Sequence, residues 1–156
     1  MDDLSLEQYR ALAEFRFQIR RFLAFSEEQS RAAGLEPRQH QLLLAVKGLP
    51  GNVRATIGEL AARLQLKHHS TVELVDRLEK AGYVSRAAGD EDRRQVMVHL
   101  TPSGSRVLRK LSIEHHQELE VAGPRLAKAL RSIARQHAAR RSGQGAGQRA
   151  EGTSAA

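Results

Sequence analysis

The sequence predicts a mostly helical α+β chain with one small two-stranded antiparallel sheet. Long stretches of the 156 residues repeat apolar side chains at helical spacing, and a single pair of short alternating segments lies between them. The hydrophobic content of 40% supports a core, and the aromatic content of only 4% makes that core aliphatic. This length fits one compact domain with helical extensions and excludes two large domains.

Composition also excludes several classes of site. The sequence contains no Cys, which excludes disulfides, thiolate metal sites and a thiol nucleophile. No stretch approaches the roughly 20 apolar residues of a membrane-spanning helix, and the acidic N-terminus is unlike a signal peptide, so we expect a cytoplasmic chain with no membrane partner. The net charge of +7, whose excess lies in the C-terminal third, favours a polyanion such as nucleic acid as partner.

The first predicted element is one long helix over residues 5–31, which contain neither Pro nor Gly. Its apolar stripe at helical spacing comprises Leu12, Phe15, Ile19, Phe22 and Leu23. Three further apolar residues fall off that stripe, namely Phe17, Ala24 and Phe25. A helix that is apolar on more than one face must be covered from more than one side, so we expect a second copy of the chain to cover it.

The C-terminal part of the sequence predicts two more helices and a tail. Thr101-Pro102 has the form of a helix start, and Gly123-Pro124 is predicted to end that helix before a last amphipathic one. We assign residues 5–36 and 102–137 to a helical dimerisation region. From residue 138 onward the Ala, Gly, Gln, Arg and Ser composition buries too little to order itself, so residues 138–156 are predicted to be a disordered tail.

Residues 56–81 predict a helix-turn-helix. Thr56 and Glu59 have the spacing of a capping box, which starts the first helix of the pair at Thr56. The small Ala61 allows the two helices to cross closely, and Leu66 fills the turn between them. The inward-facing residues of the second helix are predicted to be Thr71, Leu74, Val75 and Leu78.

Two short strands follow the helix pair. Gly82 stands where a left-handed helix C-cap belongs, and the second strand alternates Val96, Val98 and Leu100 inward. The charged residues 87–94 form the loop between the strands. We therefore predict a wing over residues 83–100 and a winged helix-turn-helix domain over residues 37–101.

The chain resembles the MarR family of winged-helix transcriptional regulators over residues 5–137. The runs that carry the resemblance are Leu74-Val75-Asp76-Arg77-Leu78-Glu79-Lys80-Ala81-Gly82-Tyr83-Val84, Asp90-Glu91-Asp92-Arg93-Arg94 and Val98-His99-Leu100-Thr101-Pro102-Ser103-Gly104. Two positions depart from it, because Gln65 replaces a frequent Gly in the turn and Lys67 replaces a frequent small cap. The resemblance implies a homodimer whose first and last helices intertwine and whose two winged domains bind a pseudo-palindromic operator in double-stranded DNA.

The outward face of the second helix carries the predicted base contacts. Helical geometry places on it His68, His69, Ser70, Val72 and Glu73. His and Ser side chains hydrogen-bond base edges, Val contacts a thymine methyl group, and Glu accepts a hydrogen bond from cytosine N4. The alternative is an ordinary solvated face, but an outward Val beside two His at a helix start favours DNA contact.

The predicted wing and backbone contacts are mostly arginines. Arg93 and Arg94 are predicted to enter the minor groove, and the resemblance implies that Arg94 inserts while Asp92 buttresses it. The alternative is a solvated loop whose acidic residues merely neutralise the arginines. The predicted phosphate contacts, which position the protein without specifying sequence, are Arg54, Thr56, Arg63, Lys67, Arg77 and Arg86.

The resemblance also implies a small-molecule effector. In relatives the ligand site lies between the dimer helices and the winged domain, and phenolic or aromatic acids are frequent ligands. The residues predicted by helix position to line such a site are Phe15, Arg16, Phe17, Arg20 and His40.

The sequence carries no catalytic motif, such as a Gly-rich phosphate loop, a nucleophile elbow or HExxH, so we expect neither an enzyme nor a cofactor. We also predict no metal site, because no third ligand converges on the possible pairs among His115, His116, Glu118 and Glu120. The predicted function is a sequence-specific DNA-binding transcriptional regulator, a repressor released by a small molecule. The alternative is a winged-helix protein-interaction module without specific DNA binding, which has no reason to keep Asp92-Arg93-Arg94.

Overall fold

The computed structural model describes residues 4–89 and 95–150, from residue 136 onward as backbone alone. The elements over these residues are α1 (Leu6–Ala32), α2 (Pro37–Lys47), α3 (Ile57–Leu64), α4 (His68–Lys80), β1 (Val84–Ala88), β2 (Val96–Leu100) and α5 (Pro102–Ala150). The strands form a two-stranded antiparallel sheet, which confirms the predicted fold class. No helix in the described part of the chain is long and apolar enough to cross a membrane.

The chain forms two compact units. Phe25–His116 is called here the winged unit, and Met1–Ala24 together with Gln117–Ala156 the terminal unit. The winged unit has one aliphatic core, to which α2, α3, α4, both strands and the first part of α5 contribute. That core comprises Leu35, Leu42, Leu43, Ile57, Leu60, Leu74, Val75, Leu78, Val84, Val98, Leu108 and Leu111.

The sheet of the winged unit is tied to the start of α3. Its register runs from the pair Val84 and Leu100 to the pair Ala88 and Val96. On the other edge of β2, the Val98 amide donates to the Ala55 carbonyl at 2.9 Å, and Thr56 forms an isolated bridge with Met97. Val98 is buried as predicted, but Val96 is exposed because it lies at the strand end nearest the loop.

Helix α5 is continuous, so the predicted break at Gly123-Pro124 is wrong. Proline removes one backbone hydrogen bond and crowds the preceding turn, which costs about 3 kcal/mol in a helix interior. Turns on both sides are anchored by packing, through Leu108 and Leu111 in the winged unit and Ala129 in the terminal unit. That packing outweighs the local cost, since tertiary contacts rather than propensity stabilise most helices in proteins.

The backbone of residues 138–150 continues α5, in the segment for which the sequence predicts a disordered tail. Composition argues only that the segment buries little, and extending an existing helix needs no burial. Ala, Arg and Gln are good helix formers, and adding a residue to a formed helix avoids the cost of nucleation. Residues 151–156 lie outside the described residues.

The terminal unit exposes much apolar surface. Nine of the twelve exposed large apolar side chains among the described residues belong to it, six of them on or just before α1. They are Leu4, Leu6, Tyr9, Leu12, Phe17, Leu23, Leu119, Val121 and Leu130. A concentration of this kind is typical of an interaction surface.

Candidate nucleic-acid interface

Helices α3 and α4 pack across a buried seam. Leu60 and Ala61 are buried on α3, and Thr71 and Leu74 are buried on α4, as the sequence predicts. The Thr71 hydroxyl donates to the Lys67 carbonyl at 3.2 Å, so this polar side chain is satisfied inside the core. The buried seam thereby determines which face of α4 is exposed.

The turn between the two helices depends on Gln65, which adopts a left-handed conformation with φ of 53° and ψ of 43°. This geometry lets the Leu66 amide donate to the Ala61 carbonyl at 2.9 Å. The Gln65 side-chain amide also donates to the Ala62 carbonyl at 2.8 Å. Glycine adopts this left-handed conformation without strain. For Gln65, which has a Cβ, the conformation has a steric cost of about 1 kcal/mol.

Gln65→Gly should therefore raise the free energy of unfolding by about 0.5–1 kcal/mol, since relief of the left-handed strain exceeds the extra chain entropy of glycine. Urea denaturation followed by circular dichroism measures the change. Gln65→Ala is the matched control, because it removes the same side-chain hydrogen bond but keeps the Cβ. Equal stability of the two variants would show that the strain is not released.

The exposed face of α4 begins at its first residue. His68, His69 and Glu73 are exposed, and Ser70 is half-buried beside them. Val72 departs from the prediction, because it is half-buried and packs against the core of the winged unit. Imidazole, hydroxyl and carboxylate groups on the first two turns form a compact set of hydrogen-bonding groups that matches the polar edges of bases.

The N-terminus of α4 is uncapped by side chains. Lys67 occupies the N-cap position in an extended conformation and makes no side-chain cap hydrogen bond. A lysine here opposes the helix dipole, while the first amides of the helix attract an anion. An exposed cation beside such amides is an arrangement that suits a phosphate group.

Several of the predicted phosphate contacts have hydrogen-bond partners within the protein. Arg63 pairs with Glu59 at 2.7 Å, and Arg77 pairs with Glu36 at 3.3 Å. Exposed pairs of this kind contribute about 1 kcal/mol or less to stability, so a DNA phosphate can replace the carboxylate partner of either arginine. The Thr56 hydroxyl accepts from the Glu59 amide at 3.2 Å, but the Glu59 carboxylate pairs with Arg63, so only half of the predicted capping box forms.

The guanidinium of Arg86, a predicted phosphate contact, is bound by two carboxylates of the protein. Its guanidinium donates to Glu79 Oε2 at 2.7 Å, to Asp76 Oδ1 and to the Val72 carbonyl at 3.4 Å. Although burial opposes the charge, the hydrogen bonds and charges of Asp76 and Glu79 raise the pKa of the Arg86 guanidinium. The alternation pattern of β1 gave no signal for these partners, which lie on another element.

The sheet ends next to the loop that carries the predicted wing contacts, which are the minor-groove arginines Arg93 and Arg94 and the buttressing Asp92. Ala88 and Val96 form the last pair of the sheet, and the Gly89 amide donates to the Gln95 carbonyl at 2.9 Å. Asp92, Arg93 and Arg94 lie outside the described residues, so their contacts remain a prediction.

A buried polar cluster in the winged unit includes His40. Ser30 donates its only hydroxyl hydrogen to the Ser26 carbonyl at 2.7 Å, so His40 Nδ1–H donates to Ser30 Oγ at 3.1 Å. The His115 ring lies 4.7 Å from the His40 ring and bonds the Leu111 carbonyl and the Ser26 hydroxyl, each at 2.7 Å. Burial, together with the charge of His115, lowers the pKa of His40 to about 4. The cluster was not predicted. The sequence feature that points to it is the four-residue spacing of Ser26 and Ser30, which places both on one face of α1.

The five residues predicted to line an effector site are divided between the units. His40 is buried and hydrogen-bonded in the winged unit, whereas the other four lie on α1 in the terminal unit. Of these, Arg16, Phe17 and Arg20 are exposed and Phe15 is half-buried. The terminal unit has a groove of about 470 Å³, but none of the four lines it. Its lining comprises Ala11, Glu14, Gln18, Arg125, Lys128, Ala129 and Ser132.

The described residues contain no group of three or more His, Asp or Glu side chains that could hold a metal ion. Of the His and Glu residues weighed for such a site, His115 belongs to the buried polar cluster, and His116 and Glu120 are exposed.

The sequence profile of the MarR family matches residues 33–95, which include α2, α3, α4 and β1. This segment belongs to the MarR family. Among proteins of similar sequence, YsmB of Bacillus subtilis, an uncharacterized HTH-type transcriptional regulator, is 36% identical over 64 residues, which is 41% of this chain and 44% of YsmB. YcgE from the same organism, also an uncharacterized HTH-type regulator, is 38% identical over 78 residues, or 50% of this chain and 49% of YcgE. The chain thus spans about half or less of the length of these relatives.

Solved structures of MarR regulators share the fold over most of the chain. AbsC from Streptomyces coelicolor has a TM-score of 0.68 at 21% identity, with 89% of this chain and 99% of AbsC covered. Sco3205 from the same organism, a MarR family regulator solved in complex with DNA, has a TM-score of 0.66 at 26% identity. That match covers 88% of this chain and 90% of Sco3205. The resemblance stated from the sequence motifs is confirmed.

Proposed function

We propose that this chain is a homodimeric, sequence-specific double-stranded DNA-binding transcriptional regulator. The observation that carries the proposal is the exposed first turn of α4, where His68 and His69 stand beside a helix start without a side-chain cap. The second helix of a helix-turn-helix enters the major groove with its N-terminal residues at the bases. The similarity to Sco3205, which was solved with DNA, supports the same partner.

The proposed contacts divide into readout and positioning. His68, His69, Ser70 and Glu73 form the readout set, with Val72 at its base. The proposed wing contacts are Asp92, Arg93 and Arg94, and the proposed phosphate contacts are Arg54, Thr56, Arg63, Lys67 and Arg77. Arg86 leaves that set because two carboxylates bind it.

The proposal of a homodimer rests on the terminal unit. Its exposed apolar side chains, such as Leu6, Phe17 and Leu130, need a cover that a second copy provides. A two-fold dimer presents two copies of α4 roughly 34 Å apart, which matches adjacent major grooves on one side of a duplex. The operator should therefore be pseudo-palindromic.

We further propose that the regulator is a repressor that a phenolic or aromatic acid releases, and that it acts in the cytoplasm. On α1, the Arg21 guanidinium lies 5.9 Å from the centre of the exposed Phe17 ring. Arg16 and Arg20 are exposed on the same helix, and guanidinium groups beside aromatic rings suit an aromatic carboxylate. His40 is not kept in this set, because it is buried and hydrogen-bonded.

Selection from a randomised duplex pool tests the proposed function. We expect the wild-type chain to enrich a duplex with two half-sites about one helical turn apart and to bind it as two chains in sedimentation. Its affinity should fall steeply as salt rises, because bound phosphates release their counterions. No enrichment over the starting pool would instead favour the protein-interaction module. The enriched sequence is called the selected duplex below.

A further inference from the structure

We propose that Arg86 is a positioning residue for base readout, which sets the rotation of α4 from the neighbouring strand of the wing. This inference rests on the proposed function and deepens it, since it names what aligns the readout set. Arg86 itself faces two carboxylates of the protein rather than solvent.

The contacts of Arg86 follow one edge of α4. The guanidinium donates to the Val72 carbonyl, to Asp76 and to Glu79, which lie four and three residues apart along the helix. The Arg86 backbone amide adds a hydrogen bond to Glu79 Oε1 at 3.0 Å. Strand β1 thus holds two successive turns of α4 through both backbone and side chain.

This edge is continuous with the readout set. Residues 69 and 76 are seven apart, which is two helical turns, so His69 and Asp76 lie on nearly the same line along α4. A rotation of α4 that breaks the contact to Asp76 also turns His69 away from its place. A hydrogen bond to a base edge weakens steeply as its donor–hydrogen–acceptor angle departs from linear. A small rotation of α4 is therefore sufficient to lose it.

The geometry requires a planar fork and not merely a positive charge. The Arg86 guanidinium donates hydrogen bonds to two carboxylates and a carbonyl at fixed angles. A lysine ammonium is a point charge and cannot reproduce that arrangement. The Arg86 side chain is only 25% exposed, which is less than the 39% of Arg63 and the 53% of Arg77. Arg86→Lys therefore keeps the charge and removes the fork.

The test measures two affinities for Arg86→Lys, one for the selected duplex and one for a scrambled duplex of the same composition. We expect the affinity for the selected duplex to fall about tenfold or more. The affinity for the scrambled duplex and its dependence on salt concentration should stay unchanged. Arg31→Lys is the matched control, since its single exposed pair with Glu27 lies within α1 and outside the proposed contacts, and it should keep both affinities.

Asp76→Asn provides a second route, because it weakens the same fork from the side of α4 with almost no change of shape. Circular dichroism and sedimentation establish that each variant is folded and has the wild-type assembly state. An unchanged ratio in both variants, even with a lowered melting temperature, would overturn the positioning role. An equal loss on both duplexes would overturn it too and would restore Arg86 as a phosphate contact. If the wild-type chain selects no duplex, the proposed function itself fails.

Discussion

Gly104→Ala is expected to destabilise the winged unit by about 3 kcal/mol, because the added methyl group has no space. A Cβ at this position would overlap the Tyr83 carbonyl oxygen and lie 2.9 Å from the carbonyl carbon. The Tyr83 backbone cannot move aside, since its amide donates to the Leu78 carbonyl at 2.9 Å and its carbonyl accepts from the Thr101 amide at 3.0 Å. The first turn of α5 thus packs directly on the end of the helix-turn-helix.

Gly58→Ala is the matched control for this substitution. Gly58 lies in the first turn of α3, and a Cβ there meets nothing within 4 Å. Replacing a helical glycine by alanine at such a site should stabilise the fold by about 0.5–1 kcal/mol. Urea denaturation of both variants separates steric exclusion from backbone entropy, and a Gly104→Ala variant as stable as the wild type would contradict the close packing.

The second large effect is a loss of stability at acid pH that depends on His40. Its pKa in the folded chain is about 4, below the ordinary value of 6.5. Between these values the unfolded chain binds more protons than the folded chain, so stability is full above about pH 6.5 and falls as the pH drops toward 4. The lowered pKa corresponds to a loss of about 3 kcal/mol in the free energy of unfolding over that range.

His40→Asn should flatten this dependence. The Asn side-chain amide can still donate to Ser30 Oγ, as His40 Nδ1 does, but it does not titrate. Carboxylates also protonate in this range, so the quantity to compare is the difference between variant and wild-type stability across pH. His99→Asn, at an exposed position on β2, is the control. Parallel pH curves for the wild type and His40→Asn would contradict the account.

Local patterns predicted the parts of the interface that depend on one element at a time. The four buried positions of α4 followed from helical spacing, and Gly82 was placed as a left-handed cap, which its φ of 75° confirms. The exposed first turn of α4 is the complement of those buried positions. Its base contacts stay a prediction.

Features that join distant segments could not be predicted in this way. The partners of Arg86 lie seven and ten residues away on another element, and β2 pairs with Ala55 on the edge that faces away from β1. The continuity of α5 through Pro124 depends on packing in both halves of the helix, whereas the sequence shows only the local cost of proline. His40 was placed by helix position, and its burial beside His115 depends on α1 and α5.

The most direct test of the interface is the affinity of the double variant His69→Ala and Ser70→Ala for the selected and scrambled duplexes. We expect a loss of about 1–3 kcal/mol in binding free energy on the selected duplex alone, because base contacts are removed while phosphate contacts remain. The matched control is His99→Ala with Ser105→Ala, which removes the same residue types from exposed positions outside α4. If the His69 and Ser70 variant, folded and with the wild-type assembly state, lost affinity for both duplexes equally, α4 would not carry the base readout.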